Sequence, residues 1–197
     1  GLGCYMASLV GTLGDAIAVG FLRVTVVYFI VSILFMFLFY TLYAYISFGR
    51  AGVKAYWKNI LPPALTSLGT CSSAACVPIN IESTKKMGVP ADIAEATISL
   101  GTSFHKDGSA IGSVFKIMFL VCFFGTPLNS LGSIGQVLGV SLIATLLVTA
   151  VPIGGGTISE MLILTLMGYP VAALPILTIV ATVIDAPATL LNVVGDS

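Results

Sequence analysis

From Ile117 to Ser159 the chain carries no Asp, Glu, Lys or Arg. A tract of that length, dominated by Leu, Ile, Val, Phe and small residues, cannot be wrapped in the polar surface a soluble domain needs. The bilayer is the solvent it suits. The remainder agrees: of 197 residues 57% are hydrophobic and 8% charged, and the mean hydropathy is +1.09. Inside a bilayer the backbone must satisfy its own hydrogen bonds, so the fold class is an all-α integral membrane protein. Eight basic and eight acidic side chains cancel, which excludes a nucleic-acid binder that works by neutralising phosphates. Cys4, Cys71, Cys76 and Cys122 sit among apolar and small residues and read as space-filling; CSSAAC lacks a zinc-ligand spacing.

Hydropathy and charge divide the chain. Val24 to Phe48 is charge-free and, at about 1.5 Å per residue, exceeds the roughly 30 Å of hydrocarbon, so it is a full span. Tyr40, Tyr43 and Tyr45 suit an interfacial belt. Arg50, Lys54 and Lys58 precede the next apolar segment, and Lys85 and Lys86 follow it. The positive-inside rule places both flanks in the cytoplasm, so the segment between them enters and returns as a re-entrant hairpin tipped by CSSAA. A break at FHKDGSA (104–110) interrupts the following span. Pro152 and Gly154 to Gly156, in AVPIGGGT, interrupt the charge-free tract and predict a second hairpin, entered from the external side. The predicted organisation is residues 1–50 as the end of one transmembrane helix plus a full span, and 51–197 as a core. Within the core, hairpin 1 covers about 53–86, the broken helix 91–125, hairpin 2 130–168 and the last helix 171–197.

Paired Gly/Pro-interrupted segments entering from opposite faces mark an inverted repeat, with a binding site where the interruptions converge. The last helix supplies a polar stripe: Asp185, Thr189, Asn192 and Asp196 are spaced i, i+4, i+7 and i+11, one face at 3.6 residues per turn. Each charge near the bilayer centre costs about 2.5–3.5 kcal/mol on insertion scales. Carboxylate, amide and hydroxyl oxygens in this pattern suit a hard cation or an ammonium group.

Four motifs in order then resemble one family. The tip CSSAACVP, the break His105-Lys106-Asp107-Gly108-Ser109, the tip VPIGGG and the ending Asn192-Val193-Val194-Gly195-Asp196 resemble the C-terminal half of the dicarboxylate/amino acid:cation symporters of the glutamate-transporter type. The opening GLGCYMASLV lies already inside an apolar run, near the end of what would be the family's fifth helix, so the chain is expected to be a fragment. The resemblance implies a secondary active transporter of the cell (plasma or inner) membrane, multi-pass, moving an elevator-like core within a homotrimer whose scaffold helices are mostly absent here. It implies no enzyme activity and no cofactor beyond Na+ or H+ as coupling ion. Substrate contacts would come from Cys71, Ser72 and Ser73 at the first tip, Val151 and Gly155 at the second, Asp185 for the amino group, Asn192 for the α-carboxylate, and Thr189 and Ser109 in support. Gly101, His105, Lys106, Asp107, Asn192 and Asp196 would fall at the cation and coupling sites.

The departures from the family pattern narrow the expectation. Ala188 stands where acidic amino-acid carriers have an arginine, and an acidic side chain buried without that fork would be an unpaired charge. A small neutral amino acid is therefore expected, with a dicarboxylate or acidic amino acid as the alternative. His105 and Lys106 replace the family's Asn and Met, and Thr145-Leu146-Leu147-Val148 replaces a Ser-Ile-Gly-Thr segment, which removes oxygen donors. A lysine could stand in for a bound Na+ or a histidine carry a proton; adjacent helical residues do not face one another, but a break at Gly108 would relax that constraint. Two other classes compete: a passive channel, and an intramembrane serine protease with Ser72 or Ser73 and His105 as a dyad. A channel built on the same hairpins would repeat polar positions over a longer path, whereas here they converge at one depth, and in a protease the paired hairpins would have no role.

Overall fold

The computed structural model describes Gly11, residues 15–149 and residues 155–197. The helices are α1 (Asp15–Phe35), α2 (Thr41–Asn59), α3 (Leu61–Thr70), α4 (Ser73–Lys86), α5 (Ala91–Phe104), α6 (Asp107–Phe124), α7 (Leu131–Thr149), α8 (Gly155–Met167) and α9 (Leu174–Gly195). A π-helical turn, Met36–Tyr40, joins α1 to α2, and a 3₁₀ turn, Val171–Ala173, leads into α9. Among the described residues, three stretches are long and apolar enough to cross a bilayer: Val19–Asn59, Ala91–Phe124 and Val171–Gly195.

The first stretch is about twice the bilayer's hydrocarbon thickness, and it is divided where its composition changes. Gly49 adopts φ 59, ψ −147, and Phe48 beside it φ −149, ψ 28. That Gly49 conformation is left to glycine by the sterics of a Cβ. The kink falls between charge-free Phe48 and the basic run that starts at Arg50. The apolar side chains upstream, Leu22, Leu34, Leu38 and Ile46, are exposed, as the lipid-facing or partner-facing surface of a span should be.

The chain forms two compact units, one of residues 1–30 and 112–184, the other of 31–111 and 185–197. In the first, α7 and α8 pack on each other. Its core takes Ile117, Leu120 and Val121 from α6, Val137, Val140 and Ala144 from α7, Ile163 and Leu164 from α8, and Leu177 from α9. In α6 and α7 the spacings of three and four give each helix one apolar stripe. Phe21 stacks on Phe119 with ring centroids 5.0 Å apart.

In the second unit α3 packs on α4, and α4 on α5. Its core is Tyr40, Tyr56, Ile60, Leu191 and Val194. Tyr40 is not part of an interfacial belt: it is 2% exposed, whereas Tyr43 and Tyr45 are 50% and 54% exposed. The reason is a bond. Its hydroxyl donates to Leu191 O at 2.9 Å. Tyr56 Oη donates to Val194 O at 3.0 Å and Asn80 Nδ2 to Val193 O at 2.9 Å. A helix leaves its last carbonyls without intrahelical donors, and these buried side chains supply them for α9.

Candidate functional site

Within the second unit, the turn between α3 and α4 is tighter than the expected CSSAA tip. It consists of Cys71 and Ser72, because Ser73 already opens α4. Cys71 is left-handed, φ 48, ψ 32, and is the non-glycine residue with positive φ among the described residues. Such a conformation is strained for a side chain with a Cβ. Its N–H donates to Ser67 O at 2.9 Å. Ser72 is the N-cap of α4, its Oγ accepting from Ala75 N at 3.3 Å, while its own N–H donates to Thr70 Oγ1 at 3.3 Å. Two of the turn's donors are thus satisfied locally.

The broken span fails at His105 and Lys106, not at Gly108. His105 is extended, φ −84, ψ 102, and ends α5 with its N–H on Gly101 O. The ladder restarts when Ala110 N donates to Lys106 O at 2.8 Å. Gly108 lies inside the first turn of α6 and serves another purpose. A Cβ there would meet the backbone of Ala188, with its carbonyl carbon and Cα both at 2.8 Å. Only glycine lets α6 and α9 approach so closely. At that contact Asn192 Oδ1 accepts from Gly108 N at 3.0 Å and from Ser109 N at 3.3 Å, and its Nδ2 donates to Ser109 Oγ at 2.8 Å. A side chain of α9 therefore caps the N-terminus of α6.

The extended backbone at His105 turns its ring between two acids. Nε2 lies 3.0 Å from Asp107 Oδ2, and Nδ1 lies 3.2 Å from Asp196 Oδ1. The second pair is close but off line for a hydrogen bond, and both of its atoms are buried without one; it is an electrostatic contact. The Asp196 side chain is 1% exposed, with Thr102 Oγ1 at 3.4 Å from its Oδ2. Two glycines close around the pair: a Cβ on Gly101 would lie 2.9 Å from Asp196 Oδ1, and one on Gly195 would meet His105 Cε1. Both ring nitrogens thus face carboxylates, and neither is left for a dyad with Ser72 or Ser73. Lys106, the other cation considered for this place, forms no ion pair among the described residues.

Sodium is a hard cation that takes oxygen ligands. The carboxylates of Asp107 and Asp196 fit that requirement; the imidazole nitrogens between them do not. Among the described residues no group of three or more His, Cys, Asp or Glu side chains is arranged to hold a metal ion.

On α9, Thr189 and Asn192 are buried and Asp185 is exposed, and Asp196, just past the helix end, is buried. Ala188, on the same helix, is 7% exposed, its backbone filling the contact with Gly108. A cavity of about 370 Å³ is lined by Tyr40, Tyr43, Ser47, Tyr56, Met87 and Gly195 among others. It contains neither Ser73 nor Asp185 nor Asn192.

In the first unit, Gly155 opens α8; Val151, with the rest of 150–154, lies outside the described residues. Thr145 Oγ1 is 3.2 Å from Ser113 Oγ and donates to Ser141 O at 2.8 Å, so this hydroxyl is engaged within the unit. Glu160 was not singled out from the sequence. It is 2% exposed, and Thr178 Oγ1 lies 2.5 Å from its Oε2. The signal was there: Glu160 is the one acidic residue between Asp107 and Asp185, and no Lys or Arg follows Lys116.

Comparison with known proteins agrees with the motif order. The family described as "Sodium:dicarboxylate symporter family" matches residues 1–197. Human excitatory amino acid transporter 2 is 29% identical over 152 residues, 75% of this chain and 26% of that protein. Human neutral amino acid transporter A is 28% identical over 154 residues, 78% of this chain and 29% of that protein. The L-cystine uptake protein TcyP of Bacillus licheniformis is 31% identical over 152 residues, 76% of this chain and 32% of that protein. The aligned region is thus between a quarter and a third of the length of these relatives. No solved structure gives a significant match. With three membrane-length apolar helices and a family match over its whole length, the chain is a multi-pass protein of the cell membrane and belongs to the sodium:dicarboxylate symporter family.

Proposed function

We propose that the protein carrying this chain is a secondary active transporter that moves a small neutral amino acid by cation-coupled symport. The observation that carries the reading is the face of α9. Asp185 is exposed one turn before buried Thr189 and Asn192, and Ala188 occupies the arginine position of acidic carriers. Asp185 would take the amino group, and Asn192 with Ser109 the α-carboxylate. Ser72 and Ser73, with the first-turn N–H groups of α4, would add donors for an anion. No guanidinium stands at 188 to neutralise a second carboxylate. The relatives bear names that specify excitatory amino acids, neutral amino acids and L-cystine, so an amino-acid substrate is the shared element.

The α3–α4 and α7–α8 pairs would be the two re-entrant hairpins. At 10 residues, α3 is about 15 Å long and reaches only half-way through the hydrocarbon. The prolines at its start suit a helix that begins at the membrane surface. The core would move as an elevator within a homotrimer.

The test is uptake by proteoliposomes of the full-length protein under imposed Na+ or H+ gradients. Serine, alanine and threonine are expected to be accumulated. Uptake of succinate, malate or aspartate with no response to those three would overturn the neutral-substrate reading.

A further inference from the structure

We propose that the His105 imidazole fills the place between Asp107 and Asp196, two acids that the family resemblance assigns to the cation sites, so that this chain takes up no sodium between them. The inference deepens the transport reading by specifying its coupling, and its geometric part stands without that reading. A sodium ion shared by two carboxylates must come within bonding distance of oxygens from both. Here the ring spans the gap instead, Nε2 at 3.0 Å from one acid and Nδ1 at 3.2 Å from the other.

One edge of the ring is packed, while the side chain as a whole is 31% exposed. Its Cε1 lies against Gly195, where even a Cβ would collide with it, and the same Cβ would stand 2.7 Å from Tyr40 Oη. Tyr40 is itself held by its bond to Leu191 O. On the far side Gly101 presses on Asp196 Oδ1, and the Gly101 carbonyl already accepts the His105 N–H at 2.8 Å. Gly195 and the fixed tyrosine thus pack against one edge of the ring, and Gly101 against the Asp196 carboxylate. Lys106, the neighbouring cation, forms no close ion pair with either acid among the described residues. The argument concerns occupancy of space and holds whichever nitrogen carries the proton.

The experiment is equilibrium binding of radioactive sodium to purified full-length protein without any amino acid, at constant ionic strength set with choline. Wild type, D107N, D196N, H105N and H105Q are compared, and thermal unfolding with and without sodium reports folding in each. Wild type is expected either to show no saturable binding at millimolar sodium or to show binding that D107N and D196N leave within twofold. H105N, or H105Q should H105N not fold, is expected to gain a sodium site, tightening apparent affinity at least tenfold. Wild-type sodium binding abolished by D107N or D196N would overturn the proposal, and so would folded His105 variants that gain no site. Because sodium is read without substrate, a failure to bind amino acids would overturn the transport reading and leave this inference intact.

Discussion

Asn192 Oδ1 accepts the backbone N–H of Gly108 at 3.0 Å, so the last helix caps the helix that restarts after the break. The same side chain donates to Ser109 Oγ at 2.8 Å. Asn192→Ala removes the acceptor while leaving the N–H groups buried. Loss of a capping bond and a buried pair costs about 1–3 kcal/mol. Asn192→Asp keeps the acceptor and is expected to lose less than half as much. Thermal unfolding in detergent measures both; equal losses would show that the amide oxygen is not what matters.

Gly108→Ala is expected to be among the most damaging single-methyl additions in this chain. Its Cβ would meet the Ala188 backbone, which cannot rotate away as a side-chain tip can. Overpacking of that kind costs about 1–3 kcal/mol. Gly69→Ala is the control: it sits in α3 with nothing within 4 Å of the added carbon, so helix propensity favours alanine by up to about 1 kcal/mol. A lower unfolding temperature for Gly108→Ala alongside an unchanged or higher one for Gly69→Ala is the expected pattern.

Glu160 and Thr178 form a buried pair 2.5 Å apart. Thr178→Val removes the hydroxyl donor from a carboxylate that is 2% exposed and is expected to cost about 1–3 kcal/mol. Glu160→Gln keeps an acceptor oxygen and should cost less. If Thr178→Val is as stable as wild type in thermal unfolding, the carboxylate has a different principal partner.

The membrane class was legible because hydropathy is a sum over many residues and tolerates local error. Of the expected polar stripe, Thr189 and Asn192 on α9 and Asp196 just past its end are buried, whereas Asp185, its first member, is exposed. What the sequence hid depended on contacts between distant segments. FHKDGSA held a histidine, a lysine and an aspartate in adjacent positions, and nothing in that order says which turns inward. The extended backbone at His105 decides it, with Asp196 brought from 91 positions away to meet the ring. Gly108 looked like the breaking residue because glycine often breaks helices, yet here it grants a close helix approach. Tyr40 looked interfacial because a tyrosine near a span's end usually is, and only the carbonyl of Leu191 explains its burial.

Asp185 and Ala188 give the sharpest test of substrate class. Asp185→Asn removes one partner of the expected ammonium–carboxylate pair, and truncating a buried charge pair costs about 3–5 kcal/mol. Neutral amino-acid affinity should therefore fall by more than a hundredfold, with thermal unfolding confirming that the variant is folded. Ala188→Arg restores the fork that recognises a second carboxylate. It must also fit where Ala188 is 7% exposed, so its folding is checked first by thermal unfolding. In folded Ala188→Arg protein, competition binding should show aspartate gaining at least tenfold on serine. Acidic amino acids that bind wild type as tightly as serine, with no change in Ala188→Arg, would show that position 188 does not select the substrate.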